Sequence, residues 1–186
     1  MNADQPVRIL AISGSLRAAS SNTTLLRAAA ALAPEGVVVE LYDGIGGLPH
    51  FNPDLDDDAP APVPDYRARL RAADAVLISS PEYAHGVPGV LKNALDWVVG
   101  SGELVDKPVA LLNASPRSTH GQASLTETLR VMTASLVDEA SVGVSMIGRK
   151  LDAAGVVADP GLSAALRSAV AALAHAAAPG PGVEPV

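Results

Sequence analysis

The sequence predicts an α/β fold, a parallel sheet covered by helices on both faces. Two observations carry that expectation. Short, almost wholly apolar runs alternate five times with segments of helical spacing, and strands apolar on both faces belong in a buried parallel sheet. The loops after the first, third and fourth runs concentrate Ser, Gly, Asn, Arg and His. In such sheets ligands bind outside the carboxyl ends of the strands, where strand order reverses.

Val7-Arg8-Ile9-Leu10-Ala11-Ile12 reads as the first strand, stopped by the turn Ser13-Gly14-Ser15. From Asn22 to about Ala33 the spacing of Leu25, Leu26, Ala29 and Leu32 is helical, and Pro34-Glu35-Gly36 ends that helix. Val37 to Leu41 is the second strand. The stretch from Asp43 to Pro64, rich in Gly, Pro and Asp, is too long for a simple connection and is expected to be functional or mobile. A helix over Tyr66–Ala73, a strand over Val76–Ser79 and a helix over Pro88–Val99 follow, with Pro88 tolerated in the first turn. Val109–Asn113 is the fourth strand, and a helix after the loop Ala114–Gln122 runs to about Leu136. Ser141–Ile147 is expected as the fifth strand and Pro160–Ala177 as the last helix. The tail 179–186 has no apolar face and is expected to be disordered. One domain over 1–178 accounts for the pattern, with no repeat and no linker.

With 186 residues the chain has the size of one domain. It is 48% hydrophobic but only 3% aromatic, so Ala, Val and Leu build the core. The net charge of −7 and the absence of a Lys/Arg cluster argue against nucleic acid. No apolar run reaches membrane-spanning length and no signal-peptide pattern opens the chain, so a cytoplasmic protein is expected. Zero cysteines exclude thiolate catalysis, disulfides and Cys-based metal sites. The four histidines are too scattered for a metal centre, and Asp54–Asp58 lacks the spacing of a calcium loop. Chemistry, if any, therefore falls to a bound cofactor.

The loop Ser13-Gly14-Ser15-Leu16-Arg17-Ala18-Ala19-Ser20-Ser21-Asn22 joins a strand to a helix start. Unpaired N–H groups and the helix dipole attract an anion there. The hydroxyls, the amide and the single arginine fit a phosphate monoester, although Ser20, Ser21 and Asn22 also suit simple capping. It is neither a Walker A loop nor G-x-G-x-x-G. In the third loop, Glu82 and Tyr83 offer a carboxylate and a phenol for acid–base work. Adjacent residues seldom converge on one atom, however. The backbone of Pro81 to Ala84 is the better candidate for lying along a ligand, with Tyr83 packed near it. Lys92 and Asp96, at i and i+4, are expected to pair, and Trp97 to sit at a boundary.

Together, G-S-x-R-x-x-S-x-N (Gly14–Asn22) and P-E-Y-x-x-x-V-P-G-x-L-K-N-A-x-D-W (Pro81–Trp97) resemble the NAD(P)H-dependent FMN reductase family. That flavodoxin-like group includes quinone, azo-dye and chromate reductases. The resemblance implies a flavodoxin-like three-layer α/β/α sandwich with a five-stranded parallel sheet of order 2-1-3-4-5. It implies FMN at the rim and NAD(P)H as co-substrate, with a quinone-like, flavin or other small acceptor. It also implies a homodimer or homotetramer. Ser15, Arg17, Ser20 and Asn22, with neighbours Leu16 and Ser21, would hold the FMN phosphate. Pro81, Glu82, Tyr83 and Ala84 would border the ring, and Ser115 would close the site. No side chain is assigned as catalytic, because the flavin carries the chemistry. Relatives often have Asn where Ala84 stands. His85 would tune the flavin or bind a substrate oxygen, or else be a solvated loop residue. Arg117 and His120 would attract the 2′-phosphate of NADPH or an anionic substrate, or be solvated. His50 and Phe51 would reach a neighbouring subunit's flavin. Two other classes fit less well: a flavodoxin-type electron carrier, whose Thr-Gly-Thr phosphate loop is missing, and a non-catalytic flavin-binding protein.

Overall fold

The computed structural model describes residues 5–178; the tail over 179–186 lies outside them. Strands β1 (Val7–Ser13), β2 (Val37–Tyr42), β3 (Ala75–Ser79), β4 (Pro108–Asn113), β5 (Ser135–Leu136) and β6 (Val142–Gly143) form one parallel sheet. Its order is β2-β1-β3-β4-β5, with β6 also on β4. The helices are α1 (Ser21–Ala31), α2 (Val63–Ala72), α3 (Gly89–Asp96), α4 (Thr119–Val131), α5 (Ala153–Ala158) and α6 (Pro160–Ala177).

Alternation along the strands divides the core into two layers. Ile9, Ala11, Leu77, Ala110 and Leu112 pack with residues of α1, α5 and α6. Leu10, Ile12, Val76, Ile78, Val109 and Leu111 pack with residues of α2, α3 and α4. Right-handed crossovers explain the division. The chain leaves β1 towards β2 and then reverses to build β3 and β4, so α1 lies on one face and the next three helices on the other. The reversal leaves the carboxyl ends of β1 and β3 side by side, with Ser13 opposite Ser79.

Three expectations need correction. The fifth strand is not Ser141–Ile147 but two short pieces around a 3₁₀ turn at Asp138–Ala140. Ser141 Oγ accepts the Leu111 N–H at 3.1 Å and donates to Val137 O at 2.9 Å, so a side chain interrupts the ladder. Helix α4 accordingly ends at Val131 rather than near Leu136. Trp97 is buried completely, not at a boundary. It anchors the long 43–64 stretch: its indole N–H donates to Pro49 O at 2.7 Å, and Phe51 meets its ring edge-on at 5.1 Å. Asn93 fixes the same segment by accepting from Phe51 N–H and donating to Pro49 O. Arg67 pairs with Asp56 at 2.5 Å and donates to Trp97 O. Lys92 and Asp96 pair as expected. No helix among the described residues is long and apolar enough to cross a membrane.

Tyr66 is the exception in the core. Its hydroxyl is buried without a partner, its ring stacks on Tyr42 at 4.9 Å, and burial raises its pKa well above the ordinary tyrosine range. An unsatisfied buried hydroxyl costs about 1–3 kcal/mol. Tyr66→Phe is therefore expected to leave stability unchanged or raise it by about 1 kcal/mol, read from the urea midpoint. A clear loss of stability would reveal a partner for that hydroxyl.

Candidate functional site

The first loop is shaped by hydroxyls that lock one another. Ser13 Oγ lies 2.8 Å from Thr23 Oγ1, and Ser15 N–H donates to Ser13 Oγ at 3.3 Å. Ser15 Oγ then accepts the Arg17 N–H at 3.3 Å. Ser20 is the N-cap of α1, accepting the Thr23 N–H, so the capping role applies. Asn22 is buried, with its Oδ1 2.9 Å from Ser79 Oγ at the end of β3. Among the described residues, the backbone N–H groups of Ser20, Ser21 and Asn22 donate to no protein acceptor. A first helical turn leaves such donors free. Those amides, the buried hydroxyls of Ser15 and Ser20, and the exposed Arg17 make a donor set suited to a phosphate monoester.

Gly14 lets this loop meet the next one. Its N–H donates to Ser79 O at 2.8 Å. A Cβ on Gly14 would stand 2.5 Å from Ser80 Oγ and 3.2 Å from Leu91 Cδ2. Leu16 is 59% exposed and packs over Gly46, so its aliphatic end belongs to the rim rather than the core.

In the third loop, Tyr83 and Gly86 exchange backbone hydrogen bonds of 3.1 and 2.9 Å. Ala84 and His85 occupy the tip, with φ of 49° and 60°. Two left-handed positions in succession form the type of hairpin that favours Asn-Gly. Here neither residue is glycine, and each bears a steric cost of about 1–2 kcal/mol. The turn puts the His85 ring onto His120, at 4.3 Å and 17° between planes. The third and fourth loops are thus joined at their tips, and Tyr83, 52% exposed, stands in the same hairpin.

Glu82 takes a structural part. Its carboxylate accepts the Gly121 N–H at 2.7 Å in the first turn of α4, where Ser118, at the N-cap position, makes no side-chain cap. A Cβ on Gly121 would stand 3.1 Å from Glu82 and 3.2 Å from Gly86 O, so glycine there permits the close approach. Glu82→Ala is expected to lower stability by about 1–2 kcal/mol through the lost cap, measured by urea unfolding. An unchanged midpoint would contradict that role. The acid–base pairing of Glu82 with Tyr83 finds no geometric support: the carboxylate faces α4, and the Tyr83 side chain is half exposed.

The fourth loop turns at Ser115–Ser118, where Ser118 N–H donates to Ser115 O at 3.0 Å. Asn113 supports it by accepting from Ser115 N–H and donating to Ser118 O. Ser115 Oγ accepts the Arg117 N–H, and the Arg117 side chain is exposed. Ser21, Asn22, Pro81, Glu82 and Ser115 line one cleft of about 220 Å³. Arg17 lines the neighbouring cleft, which shares Ser21. Tyr83, Ala84 and His85 stand at the hairpin tip, and His120 joins them from α4. His50, exposed on its pinned segment, lies outside both clefts.

Sequence reasoning missed Ser79, Ser80, Asn113, Met146 and Ile147. Ser79 and Ser80 close a strand whose sequence signal lies in its apolar part. Asn113 was legible as a polar strand end. Met146 and Ile147 fall within the expected fifth strand, whereas in the structure they line the cleft beyond β6.

The sequence model of the family described as NADPH-dependent FMN reductase matches residues 7–148. An NAD(P)H-dependent FMN reductase of Pseudomonas aeruginosa is 37% identical over 159 residues, 82% of this chain and 85% of that protein. A probable NADPH:quinone oxidoreductase of Oryza sativa is 45% identical, over 59% of this chain and 56% of its own length. A 2-hydroxy-1,4-benzoquinone reductase of a Burkholderia species is 40% identical, over 59% and 61% respectively. These two matches therefore span less than two thirds of the relatives' own length. Among solved structures, the flavoenzyme NAD(P)H:acceptor oxidoreductase FerB of Paracoccus denitrificans superimposes with a TM-score of 0.74 at 31% identity. That match covers 92% of this chain and 97% of FerB.

Proposed function

We propose, since the chain belongs to the NADPH-dependent FMN reductase family, that it transfers reducing equivalents from NAD(P)H through bound FMN to a quinone-like or other small planar acceptor. The observation that carries this reading is the convergence of the β1, β3 and β4 loops on one cleft beside a phosphate-suited helix start. The residues fit FMN on their own chemistry. Unpaired N–H groups of the first turn of α1, with Ser15, Ser20 and Arg17, take the phosphate. Pro81 to Ala84 provide a backbone edge for the ring, and Ser115 borders the cleft from the fourth loop. FMN, when bound, supplies hydride acceptance and its onward delivery.

The remaining work is positioning. Asn22 and Ser79 tie the helix start to the end of β3, so the phosphate seat and the ring edge move as one body. Glu82 fixes the third loop to α4. Tyr83 and the stacked His85 and His120 form a flat rim against which a planar acceptor or the nicotinamide can rest. No step requires a protein acid or base. The reading treats the described chain as one FMN-binding domain. It also includes a cytoplasmic location and a dimer or tetramer, the latter open to light scattering.

Relatives named as quinone reductases support turnover over a carrier role. Purified protein with FMN is expected to oxidise NADPH continuously when a benzoquinone is supplied. FMN that stays oxidised under NADPH would sink the reductase reading. FMN that is reduced once, with no continuing turnover, would favour the electron carrier.

A further inference from the structure

A cleft of about 760 Å³ lies beside α1, lined by Arg17, Ser21, Thr24 and Arg27 on one side and Lys150 and Leu151 on the other. Elsewhere the cations are largely committed: Arg8, Arg67, Arg69, Arg71, Lys92 and Arg130 all have carboxylate partners. Arg149, on the cleft wall, is paired with Asp159. Asp152, the carboxylate of the lining, is occupied in capping α5 through the Gly155 N–H at 2.8 Å. Arg17, Arg27 and Lys150 have no side-chain hydrogen bond or salt bridge among the described residues. With Arg17 serving the flavin phosphate, Arg27 and Lys150 remain as two uncommitted cations facing the same cleft of a chain of net charge −7, and they point to a second anionic group.

The cleft is longer than one phosphate needs. With a rise of 1.5 Å per residue, Thr24 and Arg27 lie about 4.5 and 9 Å along α1 from Ser21. A phosphate on the first-turn amides leaves that far end free. Leu151, Ala153 and Ala154 give the cleft apolar lining, which suits a flat base or a ribose.

We propose that this cleft takes the adenosine half of the pyridine nucleotide, with Arg27 and Lys150 closing on a phosphate at the ribose 2′ position. The assignment rests on reading the chain as an NAD(P)H-dependent flavin enzyme. It makes NADPH the preferred donor, because NADH lacks the 2′-phosphate. Arg117, on its exposed turn, is the competing cation.

The test is calorimetric titration of the FMN-loaded protein with adenosine 2′,5′-bisphosphate and with adenosine 5′-phosphate. Wild type, the Arg27→Ala/Lys150→Ala double variant and Arg117→Ala are compared. Both replaced cleft side chains are exposed, so the fold is not at stake. The bisphosphate is expected to bind wild type at least about tenfold tighter than the monophosphate, the worth of one charge-assisted hydrogen bond. That preference should vanish in the double variant and survive in Arg117→Ala. KM for NADPH should rise in the double variant with KM for NADH and kcat unchanged. Absence of the preference in wild type, its survival in the double variant, or its loss in Arg117→Ala would overturn the assignment. So would loss of FMN from the double variant, which would give the cleft to the flavin phosphate. In each of these results the wild type still takes up FMN and oxidises NAD(P)H, so the proposed function stands. A wild type that takes up no FMN removes that function, and this inference falls with it.

Discussion

Arg17→Ala is expected to weaken FMN binding by about ten- to a hundredfold, the worth of one charge-assisted hydrogen bond to a phosphate. The side chain is exposed and has no partner among the described residues, so its removal leaves no orphaned group there and costs the fold little. The loop keeps its shape because Ser15 Oγ holds the Arg17 backbone N–H rather than the guanidinium. Fluorescence titration of FMN into the stripped variant measures the effect, and the urea midpoint should not move. Unchanged affinity would remove Arg17 from the phosphate seat. A Lys at this position should recover part of the loss, since the charge returns without the forked geometry.

Gly14→Val is expected to be the more damaging change to the protein itself. A Cβ at Gly14 already falls 2.5 Å from Ser80 Oγ, 3.0 Å from Ser80 Cβ and 3.2 Å from Leu91. Valine adds two methyl groups to a position with no room for the first carbon. Overpacking of this kind costs about 1–3 kcal/mol. The first and third loops would be driven apart, so FMN affinity should fall with stability. A variant with wild-type stability and wild-type FMN binding would mean that the loops do not meet as described. Gly14→Ala should show the same signs at smaller size, because Ser80 can turn its hydroxyl aside.

The parts that were legible in the sequence obey local rules. Ile9, Leu10, Ala11 and Ile12 are all buried, and a strand covered on both faces asks for that pattern. The Pro160 start of α6 was plain because Asp159 and Pro160 form a cap and a first-turn proline. The fifth strand was not legible, because its interruption depends on Ser141 bonding to β4, a tertiary event that periodicity does not encode. The short α5 was missed for a similar reason: its cap, Asp152, is local, but six residues are too few for a helical spacing to stand out. At the site, the serines of the first loop could be read as donors. Which of them are spent on the fold could not, since Asn22 bonds to Ser79 across 57 positions of sequence. The His85–His120 stack was equally hidden. It needs two left-handed residues and the bare Cα of Gly121 to bring two loops together.

The same loops give the most direct trial of the whole account, which places a flavin phosphate on the first turn of α1. Stripped protein is titrated with FMN and with riboflavin, which differ only in that phosphate, by following the quenching of flavin fluorescence. FMN is expected to bind at least about a hundredfold tighter, since two or more charge-assisted hydrogen bonds depend on the phosphate. Equal affinity for the two flavins, or binding of neither, would contradict it.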